Sequence, residues 1–170
     1  PATRYKITPS QLNQAITPKT KLLFLNSPSN PSGVAYTFEE LKALGEILQQ
    51  HPHVLIATDD MYEHIMWTQP FSNILNACPE LYARTMVLNG VSKAYSMTGW
   101  RIGYAAGPTP LIAAMKIVQS QSTSNPCSTS TRSPWSRIST VATITTRLSA
   151  GFGSVIAMRT GRVMASLRVA

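Results

Sequence analysis

Thr85-Met86-Val87-Leu88-Asn89-Gly90-Val91-Ser92-Lys93-Ala94-Tyr95-Ser96-Met97-Thr98-Gly99-Trp100-Arg101-Ile102-Gly103-Tyr104-Ala105-Ala106 sets two apolar runs around a polar centre. The runs have strand length: Arg84 to Leu88 leads in, and Arg101 to Ala106 leads out. The gap from Lys93 to Arg101 is too short for a helical crossover, which takes at least about 10–12 residues. The second strand is therefore expected to run antiparallel to the first. The centre holds a lysine, hydroxyl residues, two glycines and an arginine, a poor composition for core. It suits a reactive amine on a loop beside an anion clamp, with Lys93 as the amine and Arg101 as the clamp.

Two further strands lie upstream. Lys21-Leu22-Leu23-Phe24-Leu25-Asn26 and Val54-Leu55-Ile56-Ala57-Thr58 are continuous apolar runs. Such runs suit strands buried on both faces of a parallel sheet. The first stops at Ser27-Pro28-Ser29-Asn30-Pro31-Ser32-Gly33, a tightly specified loop that reads equally as a simple turn or as a ligand loop at a strand's carboxyl end. The second stops at Asp59-Asp60-Met61-Tyr62. Adjacent carboxylates are costly if both are buried, so one is expected to face a cation and the other water or a backbone amide. A helix N-cap by Asp59 or Asp60 is the plainer alternative.

Helical signals separate these strands. Thr8-Pro9-Ser10-Gln11 opens a short helix with Leu12, Ala15 and Ile16 on its apolar side. Thr37-Phe38-Glu39-Glu40 is a capping box, and Leu41, Leu44, Ile47 and Leu48 follow at helical spacing, predicting a helix of about 12–14 residues. Gly45 inside it costs about 1 kcal/mol relative to Ala. His51-Pro52-His53 closes it as a solvated turn. Trp67-Thr68-Gln69-Pro70 reads as a loop, Phe71 to Leu75 as packing at the core edge, and Cys78 to Tyr82 as another turn. A last helix follows Gly107-Pro108-Thr109-Pro110, with Leu111, Ile112, Ala114, Met115 and Val118 on its apolar face.

The chain has 170 residues and a formal net charge of +8. That charge is uneven. Residues 1–126 carry six Lys and three Arg against all seven acids, whereas residues 127–170 carry six Arg and neither Lys nor acid. From about Ser128 the sequence is rich in Ser, Thr and Arg and loses its periodicity, with Val155-Ile156-Ala157-Met158 as the one compact apolar patch. The expectation divides the chain into a domain over 1–127 and a basic tail over 128–170. That tail is expected to be disordered or not native coding sequence, such as the product of a reading-frame shift. Its Arg residues are scattered and few aromatics accompany them, which argues against nucleic-acid binding. No run of about 18 apolar residues marks a membrane span. Cys78 and Cys127 have no metal-ligand spacing and read as free thiols of a reducing, cytoplasmic compartment.

In a parallel sheet, the strand ends bearing Asn30, Asp59, Tyr62, Lys93 and Arg101 share one edge. An amine, a carboxylate, a phenol, an amide and a guanidinium there form the set that pyridoxal 5'-phosphate chemistry uses. The sequence resembles the class I aminotransferases of pyridoxal-phosphate fold type I, most of all the bacterial aspartate aminotransferases. Gly90-x-Ser92-Lys93-x-x-Ser96-Met97-x-Gly99-x-Arg101-Ile102-Gly103 is similar to the family's lysine signature. Asn30-Pro31-Ser32-Gly33 is similar to its Asn-Pro-Thr/Ser-Gly loop, and Asp59-Asp60-Met61-Tyr62 to its Asp-x-x-Tyr element.

The resemblance spans roughly residues 5–127. It implies an α/β fold, a three-layer α/β/α sandwich with a mostly parallel sheet and one antiparallel strand. It implies that Lys93 forms the Schiff base with the cofactor and, once freed, moves the substrate α-proton. Asp59 would pair with the pyridine nitrogen, and Tyr62 and Asn30 would hydrogen-bond the ring's phenolic oxygen. Asn30 would also touch the substrate carboxylate, and Arg101 and Ser92 would bind phosphate. The implied reaction moves an amino group between an L-amino acid, aspartate, and a 2-oxo acid, 2-oxoglutarate, in a homodimer of the full-length protein. A carbon–sulfur lyase or an aromatic or alanine aminotransferase of the same fold type is the alternative. Family members are more than twice this length. The upstream glycine-rich phosphate loop, the stacking aromatic and the N-terminal arm have no counterpart here. The downstream small domain and its carboxylate-binding arginine are likewise unmatched. The resemblance thus implies a fragment of the cofactor domain that lacks turnover on its own.

Overall fold

The computed structural model describes residues 3–100, 102–121 and the backbone of 154–158. The chain forms two compact units, Pro1–Thr85 and Met86–Ala170. The fold is α/β with a mixed sheet, as the alternation of apolar runs and helical patterns predicts.

In the first unit, α1 (Pro9–Ala15), β1 (Leu22–Asn26), α2 (Phe38–Gln49), β2 (Leu55–Asp59) and α3 (Ile74–Ala77) follow in order, then a 3-10 turn over Pro79–Arg84. Strands β1 and β2 pair in parallel, Leu22 opposite Leu55 through Asn26 opposite Asp59. Their carboxyl ends therefore finish level. Side chains alternate across the strands. Leu23, Leu25 and Ile56 turn towards one face, where Leu12 of α1, Leu41, Leu44 and Leu48 of α2, and Ile74, Cys78 and Leu81 complete a core. On the opposite face Leu22, Phe24 and Leu55 are exposed.

The expected capping box at Thr37 forms, and Thr8, read only as the start of a helix, makes a second one. Thr8 and Thr37 each accept the amide three residues on, and the side chains of Gln11 and Glu40 reach back to the cap amides. The stretch read as a turn at Cys78 to Tyr82 is instead the 3-10 turn that buries Leu81. Phe71 to Leu75 contains the start of α3, capped by Asn73. Sequence periodicity does not reveal helical turns this short, because a single buried side chain has no helical period.

The second unit holds β3 (Thr85–Gly90) from Met86 onward, β4 (Gly103–Gly107), α4 (Thr109–Ser120) and β5 (Ser154–Met158). Strand β4 is antiparallel to β3, Val87 opposite Ala106 and Gly90 opposite Gly103, as the short connection requires. It also pairs antiparallel with β5, whose residues are the apolar patch of the Arg-rich segment. Buried Ala105 and Ile112 centre a small core with Met86, Leu88 and Met115. The rest of the expected tail, and Cys127, lie outside the described residues. Among the described residues, no helix is long and apolar enough to cross a membrane.

Candidate active site

The loop after β1 is built by backbone hydrogen bonds. The Ser29 amide donates to the Val34 carbonyl at 2.9 Å, and the Gly33 amide donates to Ser29 at 2.8 Å. Gly33 sits at φ 69°, where a side chain would be strained. The Ser27–Pro28 and Asn30–Pro31 bonds are cis. Buried Ser27 takes the Tyr36 amide on its hydroxyl at 3.1 Å, which fixes the far end of the loop. Asn30 stands exposed at its tip.

Sequence reading missed Asn26. Its side-chain oxygen accepts the Asn30 amide at 2.9 Å, and its side-chain nitrogen donates to the Asp59 carbonyl at 3.3 Å. The structure thus joins two of the expected site residues through a third. The signal available was a polar residue closing an apolar strand, four positions before Asn30.

At the end of β2 the two carboxylates divide. Asp59 is the more open of the pair, and its Oδ1 accepts the Met61 amide at 3.1 Å. Asp60 is almost fully buried, at 1% exposure, and binds the Thr58 hydroxyl at 2.6 Å and the Asn73 amide nitrogen at 2.7 Å. Residues 61–64 form a turn rather than a helix, so neither acid is an N-cap. The turn is held by the Glu63 amide to Asp60 carbonyl bond and the Ile65 amide to Tyr62 carbonyl bond. Tyr62 lies half-buried within it. Burial raises the pKa of Asp59, the Met61 amide opposing it, and burial pushes Asp60 up to about 6. Among the described residues no cation pairs with Asp59. A half-buried carboxylate in that state is suited to a cationic ring nitrogen, which would restore its ionised form. The donor set fits pyridoxal 5'-phosphate on this count.

In the second unit, the turn after β3 carries Ser92, buried at 8% exposure, and Lys93, exposed. The Thr98 hydroxyl donates to the Ser92 carbonyl at 3.0 Å, the Met97 amide to Val91 at 3.3 Å and the Ser96 amide to Lys93 at 3.1 Å. Ser96 takes up the left-handed conformation, φ 53°, that folds the turn back. Lys93 is thereby presented on a braced turn, open to solvent. Arg101 lies outside the described residues.

Residues 1–147 match the family described as aminotransferase class I and II, and the chain belongs to that family. Within it, the chain is 64% identical over 124 residues to an aspartate/prephenate aminotransferase of Nitrosomonas europaea, covering 72% of this chain and 31% of that relative. The crystal structure of an aspartate aminotransferase from Rhizobium meliloti superposes with a TM-score of 0.69 at 52% identity, covering 71% of this chain and 31% of that one. The aspartate aminotransferase of Thermus thermophilus with maleate matches with a TM-score of 0.68 at 40% identity, over 74% and 32%. The chain thus spans about a third of the length of the relatives it matches.

Proposed function

We propose that this chain carries the lysine-bearing part of a pyridoxal 5'-phosphate-dependent aminotransferase acting on L-aspartate, with 2-oxoglutarate as the amino-group acceptor. The observation that carries the reading is the pairing of Asn26 with Asp59, which brings the Asn30 loop and the Asp59–Tyr62 turn to one end of β1 and β2. A dicarboxylic substrate is supported by the relatives, one named for aspartate and prephenate and one solved with maleate. We place the full-length protein in the cytoplasm as a homodimer, and residues 1–127 as part of its cofactor domain.

Pyridoxal 5'-phosphate, when bound, supplies an electron-withdrawing ring that acidifies the substrate α-carbon. In this reading the Asp59 carboxylate holds the proton on the ring nitrogen. Tyr62 and Asn30 donate hydrogen bonds to the phenolic oxygen, and Asn30 also orients the substrate carboxylate. The Lys93 amine would hold the cofactor at its aldehyde carbon with loss of water, and when free of it would take up and return the substrate α-proton at its Nζ. Arg101 and Ser92 hold the phosphate.

The test is covalent labelling. The chain is mixed with pyridoxal 5'-phosphate, reduced with borohydride and digested for mass spectrometry. The expected result is a single dominant pyridoxyl adduct on Lys93, with its absorbance band lost in Lys93→Ala. Labelling spread evenly over Lys19, Lys21, Lys42 and Lys93 would overturn the reading.

A further inference from the structure

We propose that Asn26 is a positioning residue of the cofactor site, one amide side chain that fixes the spacing between Asn30 and Asp59. The inference rests on the function proposed above, in which those two residues grip different atoms of one rigid ring. A rigid ligand tolerates little play between its contacts.

The geometry is specific. The Asn30 backbone N–H can only donate and the Asp59 carbonyl can only accept, so the orientation of the Asn26 amide is fixed by its partners: oxygen to Asn30, nitrogen to Asp59. The Ser27 amide reaches the same Asp59 carbonyl at 3.4 Å. Asn26 lies directly opposite Asp59 in the ladder, so its short side chain spans the gap without bending either strand. Aspartate in its place would keep the acceptor for Asn30 but set an oxygen against the Asp59 carbonyl. Alanine would offer neither bond. Aspartate therefore cuts the Asp59 link alone, and alanine cuts both.

The experiment compares the 170-residue chain with Asn26→Asp, Asn26→Ala and Asn26→Ser, first without cofactor. Amide hydrogen exchange by NMR is expected to speed up at Asn30 by about tenfold in Asn26→Ala and to stay near the parent rate in Asn26→Asp, as loss of one hydrogen bond implies. The titration midpoint of the Asp59 carboxyl carbon is expected to move in both. With pyridoxal 5'-phosphate added, the pH midpoint of the cofactor absorbance is expected to shift in all three variants, whereas Lys93 labelling persists. If the variants melt at lower temperature but leave Asn30 exchange, the Asp59 titration and the absorbance midpoint at parent values, Asn26 is merely structural and the proposal fails. If Asn26→Ala does not fold, Asn26→Asp and Asn26→Ser decide between these outcomes. Absence of any absorbance band in the parent chain counts against the cofactor reading, and the exchange and titration data then still report whether Asn26 couples Asn30 to Asp59.

Discussion

A Cβ placed on Gly45 would stand 2.2 Å from the Cys78 sulfur and 3.0 Å from its Cβ. The glycine that looked like a defect in α2 is the point where the helix lies against Cys78. Replacing a helix-interior glycine by alanine gains about 1 kcal/mol in propensity. Overpacking costs roughly 1–3 kcal/mol, so Gly45→Ala is expected to destabilise the chain on balance. Cys78→Ala removes the nearer atom, and the double variant is expected to recover part of the loss in urea unfolding. The contact joins residues far apart in sequence, so no local pattern could announce it. The division of labour between Asp59 and Asp60 was likewise illegible, because both are acids at a strand end and only the packing of Asn73 and Thr58 decides which is buried. Asp60 has a consequence for pH. Burial raises its folded-state pKa from 3.8 to about 6. The folded state thus binds the proton more tightly than the unfolded state, and stability falls as pH rises from about 4 through 6. The swing is on the order of 3 kcal/mol. Melting of the parent chain against Asp60→Asn between pH 4 and 7 checks it: the parent is expected to lose stability relative to the variant as pH rises.

At the scale of elements, α2 was legible at one end and not at the other. Its start is written locally, in Thr37 and Glu40. Its end is closed from a distance by Arg84, whose guanidinium donates to the carbonyls of Leu48, His51 and Val54. A cation at a helix carboxyl end is favourable, and here it adds a further donor to the Leu48 and His51 carbonyls, which already accept the His51 and Val54 amides. Arg84→Met keeps the aliphatic stem and removes every donor. It is expected to cost roughly 1–3 kcal/mol, read as a drop in the urea midpoint without loss of far-UV helical signal at low urea. Thr37→Ala, with one exposed cap removed, is expected to cost about 1 kcal/mol. Strand β4 was legible for a different reason: the connection from Lys93 is too short to permit anything but reversal. The 3-10 turn before β3 was not, since it is organised by burial of Leu81 and by the Thr85 hydroxyl on the Leu81 carbonyl at 2.8 Å.

At the scale of the molecule, the first unit packs its helices on one side of β1 and β2. Leu25 is 5% exposed and its neighbour Phe24 is 53% exposed. The sequence shows a continuous apolar run there, which suits burial on both faces and conceals this asymmetry. Two substitutions one residue apart separate the faces. Leu25→Ala is expected to cost about 2–5 kcal/mol as a core truncation. Phe24→Thr is expected to cost less than about 1 kcal/mol, since little of the ring is packed away within the unit. Thermal melts of the two variants check the contrast. The proposed site residues Asn30, Asp59, Tyr62 and Lys93 were legible as candidates because they are polar residues at or just past the ends of apolar strands. Asn26 was not, because a single asparagine closing a strand has many meanings until its partners are known.

The level pairing of Asn26 with Asp59 makes β1 a ruler. Side chains alternate with a period of two, so deleting one residue between Leu22 and Leu25 would not shorten the strand gently. It would turn Leu22 inward and leave Leu25 in place, or slide the whole run and swing Asn26 off its partner. The loop bearing Asn30 would then be displaced by about 3.3 Å along the strand. Single-residue insertions and deletions in this five-residue strand should therefore be far more damaging than point substitutions on its exposed face, and lineages of this family are expected to vary in letters there but not in count.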